Sequence, residues 1–156
     1  MNPIQYGRQD IDDNDIDAVI STLKSNYLTQ GPKVNEFETK FAKYIGAKYA
    51  VAVNNATAGL HLSILALELS KEDRVITTPI TFVATANCVR YLGGEVWFAD
   101  IDPNTYNMSV DALSEKLIRA KKLGKLPKVV VPVHFAGQPC DMIKIHELSK
   151  HYGFKT

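Results

Sequence analysis

The chain has 156 residues, 46% of them hydrophobic and 22% charged, with a formal net charge of +1. That length suits one compact domain, and the composition excludes a disordered, collagen-like or coiled-coil chain. With 18 Lys+Arg against 17 Asp+Glu, no basic field is available for nucleic acid or an anionic membrane surface.

Residues 11–25 open with an Asp-rich stretch and then set Ile16, Val19, Ile20 and Leu23 at helical spacing. Asp12 or Asp13 suits the N-cap, since a carboxylate accepts from the free N–H groups of a first turn. Residues 26–33 read as a loop punctuated by Gly31-Pro32. A second amphipathic helix carries Val34, Phe37, Phe41 and Ile45 on one face and ends at Gly46.

Short apolar strands and helices then alternate. The strand candidates are Tyr49–Val53, Arg74–Thr77, Glu95–Ala99 and Lys128–Val133, with helices over 57–69, 81–92, 110–123 and 141–151. Strands joined by helical crossovers predict an α/β fold, a parallel or mostly parallel sheet with helices on both faces. The 57–69 helix is apolar nearly all round, as a helix buried in a larger body is. A domain of this size has little volume to bury it, which points to further chain. The last helix stops at Gly153, and Phe154-Lys155-Thr156 falls where a next strand should start. The basic run from Lys121 to Lys128 reads as the solvated end of a helix.

Several chemical-looking patterns have plainer readings. His146 and His151 are five residues apart, which separates them by roughly 140° around a helix, so they are poor partners for one metal. Asp100 to Asp111 begins like a calcium loop, but Thr105 stands where the loop needs Gly, and a turn into the next helix accounts for it better. Asn55-Ala56-Thr57 and Asn107-Met108-Ser109 are glycosylation sequons by pattern alone. Cys88 and Cys140 form neither a Cys-x-x-Cys pair nor a disulfide framework. The N-terminus lacks a signal-peptide pattern and no apolar run approaches a bilayer span, so the expectation is a cytoplasmic protein. Neither Gly-x-Gly-x-x-Gly nor a Gly-Lys-Ser/Thr loop occurs.

Two segments carry more weight. Asn54-Asn55-Ala56-Thr57-Ala58-Gly59 opens the 57–69 helix with small residues, which leave first-turn N–H groups open to an anion. The Thr57 hydroxyl can donate to a phosphate oxygen. A plain N-cap is the competing reading. Thr77-Thr78-Pro79-Ile80-Thr81-Phe82-Val83-Ala84-Thr85 leaves the next strand toward another helix. Phe82 is either a core residue or an aromatic that stacks on a planar ring.

Thr29-Gln30-Gly31-Pro32, Phe37-Glu38, Asn55-Ala56-Thr57-Ala58-Gly59-Leu60-His61, Thr78-Pro79-Ile80-Thr81-Phe82-Val83-Ala84-Thr85, Asp100-Ile101-Asp102-Pro103 and Pro132-Val133-His134-Phe135-Ala136-Gly137 follow in that order. The chain thereby resembles the DegT/DnrJ family of nucleotide-sugar aminotransferases, fold-type I pyridoxal-phosphate enzymes, over nearly its whole length. Tyr6, the Asn26-Tyr27-Leu28-Thr29 loop and Thr78–Phe82 resemble the branch that aminates C4 of a UDP-linked 4-keto-6-deoxy-N-acetylhexosamine for pseudaminic-acid-type glycans.

The resemblance implies pyridoxal phosphate as cofactor, glutamate as amino donor and a homodimer with the Thr29–Pro32 loop near its boundary. It implies that Thr57 and Ala58 hold the cofactor phosphate and that Phe82 stacks on the pyridine ring. Tyr6, Asn26, Tyr27, Leu28, Thr29 and Ala56 would border the sugar. His134 matches a family position near the ligand end of the sheet and is read as structural in preference to catalytic. The Schiff-base lysine and the acid beside the pyridine nitrogen belong to family segments with no match here, so the chain is expected to be the N-terminal portion of the large domain, inactive alone. As an isolated piece it is expected to be poorly stable or to self-associate. A sugar dehydratase of the same family, and a non-catalytic module binding cofactor or nucleotide sugar, are the alternatives.

Overall fold

In the computed structural model, which describes residues 7–156, Asp12 starts the first helix. Its side chain accepts the N–H groups of Asn14 and Asp15 at 2.8 and 3.1 Å, while Asp15 accepts the N–H of Asp12 at 3.1 Å. This reciprocal box satisfies donors that a helix start leaves free, and it fixes α1 at Asp13–Leu23. Helix α2, Pro32–Ile45, begins on a proline, whose missing N–H is no loss at that position. Gly31 before it is sterically required, because a Cβ there would lie 2.7 Å from the Cβ of Tyr27. Gly46 ends α2 at φ 71°, a left-handed cap.

These two helices lie in the first of two compact units, Met1–Ala52 and Val53–Thr156. Their apolar faces are open: α1 buries no residue and α2 only Ala42. Phe37 stacks on Phe41 at 5.7 Å, and Glu36 pairs with both Lys33 and Lys40.

Residues 49–53 form no strand, contrary to expectation. A strand needs a second one to take its N–H and C=O groups. The described strands form one three-stranded sheet that does not include this run, and the N–H of Ala52 goes to Glu38 Oε1 at 2.8 Å.

The second unit holds the sheet, in the order β2-β1-β3 with both pairings parallel. Its strands are β1 Arg74–Thr77, β2 Glu95–Phe98 and β3 Val129–Val131. Central β1 is buried on both faces, and alternation divides it: Val75 joins Ile64, Cys88, Val89 and Val129, while Ile76 joins Leu113, Leu117, Val130 and Ile145. Helices α3 (Ala56–Ala66) and α4 (Ala84–Tyr91) supply the first face. Helices α5 (Val110–Lys122) and α6 (Met142–Tyr152) supply the other. Each face buries several branched side chains, worth about 1.5–3 kcal/mol apiece.

Boundaries differ slightly from expectation. Pairing beyond β2 reaches Ala99, whose N–H donates to Thr77 O at 2.9 Å. On β3 it stops before Pro132, which has no N–H to give. Past α6, Lys155 bridges Val129 in parallel, and its N–H and C=O bond Lys128 and Val130 at 2.9 and 2.8 Å. The residues after Gly153 thus add a rung beside β3, and Phe154 seals the α5/α6 face at 2% exposure. Among the described residues no helix is long and apolar enough to cross a membrane.

Candidate cofactor-binding site

Asn55 caps α3 with its Oδ1 accepting the N–H of Ala58 at 2.9 Å. The N–H of Gly59 goes to Asn55 O at 3.2 Å, the first bond of the helix. By helix geometry the N–H groups of Ala56 and Thr57 then have no intrahelical partner. Thr57 and Ala58 are half-buried and Ala56 is exposed. The N-cap reading of this turn is therefore correct, and the cap leaves the N–H groups of Ala56 and Thr57 without intrahelical partners.

Strand β1 ends in Thr77, whose hydroxyl donates to Val131 O at 2.9 Å and ties the carboxyl ends of β1 and β3. The chain then turns through residues 78–83 into α4, which starts at Ala84, three residues later than the periodicity predicts. Thr81 and Thr85 share a hydroxyl contact at 2.8 Å, and Thr85 N–H donates to Phe82 O at 3.0 Å. These bonds hold the turn with Phe82 outside the core. Phe82 is 73% exposed. That removes the core reading of Phe82 and leaves an aromatic face at the carboxyl end of the central strand, where open parallel sheets bind ligands. Thr78, beside it, is fully buried and its hydroxyl has no partner among the described residues.

A third element comes from β3. After Val131 the chain runs through Pro132 and Val133 to His134 and a tight turn at Phe135–Gly137. Buried Asn107 clasps this turn. Its Oδ1 accepts the N–H of Phe135 at 2.9 Å, and its Nδ2 donates to Gln138 O and Pro139 O at 3.0 and 3.1 Å. The Cys140 N–H donates to His134 Nδ1 at 3.1 Å, and the Cys140 thiol contacts Val133 O at 3.1 Å. Nothing in the spacing of Asn107 announces this role; the sequence offers it only as a sequon.

Ala56, Thr57, Ala58, Phe82 and His134 all belong to the second unit; α4 follows the carboxyl end of β1, and α3 packs beside α4 and leads into the amino end of β1. Asn26, Tyr27, Leu28 and Thr29 belong to the first unit, as an exposed loop in which Ser25 Oγ accepts the Tyr27 N–H and donates to Tyr27 O. Tyr6 lies outside the described residues.

The other chemical-looking patterns resolve as turns and surface. Asp102 accepts the N–H groups of Asn104 and Thr105 at 2.9 Å each, which holds its carboxyl below the usual carboxylate range. His146 and His151 are exposed. Burial pushes the thiols of Cys88 and Cys140 up, away from the reactive thiolate. Among the described residues, no group of three His, Cys, Asp or Glu side chains is placed to hold a metal ion.

Residues 9–156 match the DegT/DnrJ/EryC1/StrS aminotransferase family. The chain belongs to that family. It is 42% identical to the spore coat polysaccharide biosynthesis protein SpsC of Bacillus subtilis (strain 168), over 96% of this chain and 37% of SpsC. Among solved structures it is similar to Helicobacter pylori PseC, an aminotransferase involved in the biosynthesis of pseudoaminic acid. There the identity is 34% and the TM-score 0.83, over 96% of this chain and 39% of PseC. A candidate sugar aminotransferase of Streptococcus pneumoniae, Spr1654, solved in its PLP form, superposes with a TM-score of 0.85 at 30% identity, over 98% of this chain and 38% of that one. The chain thus spans a little over a third of the length of these relatives, and its α/β fold with a parallel sheet is that of the aminotransferases.

Proposed function

We propose that this chain forms the N-terminal portion of a pyridoxal-phosphate aminotransferase of the DegT family, one that aminates C4 of a UDP-linked 4-keto-6-deoxy-N-acetylhexosamine with glutamate as donor, in pseudaminic-acid-type glycan synthesis. One observation carries the cofactor part: a capped helix start with free N–H groups opens α3, and a solvent-facing Phe82 precedes its packing neighbour α4 at the carboxyl end of β1. The donor set fits a phosphate, since Ala56 and Thr57 offer N–H groups at the positive end of α3 and Thr57 adds a hydroxyl. The family and the PLP form of Spr1654 support the choice of cofactor. The likeness to PseC supports the choice of sugar.

Pyridoxal phosphate supplies an electron-accepting ring when bound. This chain's residues bind and orient. The α3 turn would anchor the phosphate and Phe82 would shield one face of the ring from water; we assign contacts with the sugar to Ala56 and, each by its place in the sequence alone, to Tyr6 and Asn26–Thr29. No lysine here stands in the family's Schiff-base motif. We therefore assign the lysine and the acid at the pyridine nitrogen to sequence beyond Thr156, and residues 1–156 alone do not turn over. The working enzyme is a cytoplasmic homodimer in this reading. The exposed apolar side chains of α1 and α2, such as Leu23 at 63% and Phe37 at 56%, support a covering partner.

The test supplies the complete gene product with the UDP-4-keto sugar and glutamate. An amino sugar and 2-oxoglutarate formed together are the expected result. Loss of a sugar hydroxyl without glutamate consumption would turn the reading to dehydration, and binding without turnover to a non-catalytic module.

A further inference from the structure

The turn after β3 is held more tightly than a connecting loop requires. Asn107, at 4% exposure, places three hydrogen bonds on it, from Phe135 to Pro139. Inside it Ala136 sits at φ 50°, the left-handed region that a residue with a Cβ adopts only when its surroundings enforce it. The segment that Asn107 and Cys140 hold in place begins with His134, an exposed side chain in the loop leaving the carboxyl end of β3.

The Cys140 contact decides which proton His134 carries. A backbone N–H can only donate, so Nδ1, 3.1 Å from the Cys140 nitrogen, must be the acceptor. The ring is then the neutral tautomer with its proton on Nε2, and Nε2–H is a donor turned away from the bond that fixes the ring. Strand β3 lies directly beside β1, which leads into the Phe82 turn, and Thr77 links their carboxyl ends. A fixed neutral donor and an exposed aromatic face therefore leave adjacent strands at the same end of the sheet.

We propose that His134 is a cofactor-binding residue, its Nε2–H donating to an acceptor oxygen on the pyridine ring of pyridoxal phosphate, with Asn107 and Cys140 as positioning residues. This assignment rests on the cofactor reading above. It changes His134 from the structural residue suggested by the sequence into a member of the site.

Two variants separate binding from loop-holding in the complete gene product. His134→Asn keeps an acceptor where Nδ1 stands and removes the distal donor. His134→Gln places an amide N–H near the position of Nε2 and gives up the inner acceptor. The readouts are the melting midpoint, the dissociation constant for pyridoxal phosphate and the absorption maximum of the bound cofactor. His134→Asn is expected to melt like the wild type, bind the cofactor roughly tenfold more weakly and shift its absorption, as loss of one hydrogen bond to a charged group does. His134→Gln is expected to bind within about threefold of the wild type. Unchanged affinity and spectrum in His134→Asn would overturn the assignment and leave the cofactor reading standing. Parallel loss of stability and affinity in both variants would also overturn it, because that pattern belongs to a residue that only holds the loop. A wild-type protein with no saturable cofactor binding would overturn both.

Discussion

The side chain of Asn55 and the backbone of Ala58 meet at 2.9 Å, so the cap of α3 occupies one of the donors that an incoming phosphate would use. An anion at this helix start therefore meets the N–H groups of Ala56 and Thr57 first. Asn55→Ala should lower stability by about 1 kcal/mol, the usual worth of a cap, while cofactor affinity should not fall. Denaturant midpoints and a cofactor titration on the same preparation check both halves.

Thr57→Val keeps the size and shape of the side chain and removes the hydroxyl. If that hydroxyl donates to the cofactor phosphate, affinity should drop about tenfold, the effect of one hydrogen bond to a charged acceptor. The helical signal should be unchanged. Titration with pyridoxal phosphate and with pyridoxal, which lacks the phosphate, tells the roles apart: only the first should respond to the variant.

Phe82 is 73% exposed, so truncating it removes little buried surface. Phe82→Ala should change stability by less than about 0.5 kcal/mol and yet weaken cofactor binding severalfold, through loss of a stacking face. A core phenylalanine would behave in the opposite way, costing about 3–5 kcal/mol when truncated. A thermal melt with and without cofactor distinguishes the two.

Asp73 links the approach to β1 with β3. Its carboxylate accepts the Ser70 N–H at 2.8 Å and meets Lys128 Nζ at 3.0 Å, and the Ser70 bond first, then Lys128, hold its acidity below the ordinary range. A carboxyl with a folded value below its unfolded one stabilises fully above the unfolded value, near pH 4. That contribution disappears as pH falls through the folded value. Asp73→Asn should therefore be less stable than the wild type at pH 7, with the gap closing on acidification below about pH 4. Urea midpoints across pH 3–7 measure it.

Local chemistry made much of this fold legible. Asp12, Ser109 and Asp141 cap helices where carboxyl and hydroxyl side chains precede apolar periodicity, and Arg74–Thr77 is a strand with the expected ends. The residues 49–53 misled because an apolar run becomes a strand only through a partner, and the partner is a long-range fact. Phe82 was ambiguous for a related reason: periodicity places it near a helix, but the 78–83 turn decides that the ring faces solvent. Asn107 and Cys140 were invisible as positioning residues. Their contacts cross about 30 and 6 residues to a turn whose left-handed Ala136 carries no glycine signal.

If these residues are the cofactor half of a transaminating site, the visible spectrum of the bound cofactor reports it. The complete gene product, loaded with pyridoxal phosphate, should lose its Schiff-base absorbance when glutamate is added and recover it with the 4-keto sugar. A spectrum that glutamate leaves unchanged would contradict the account.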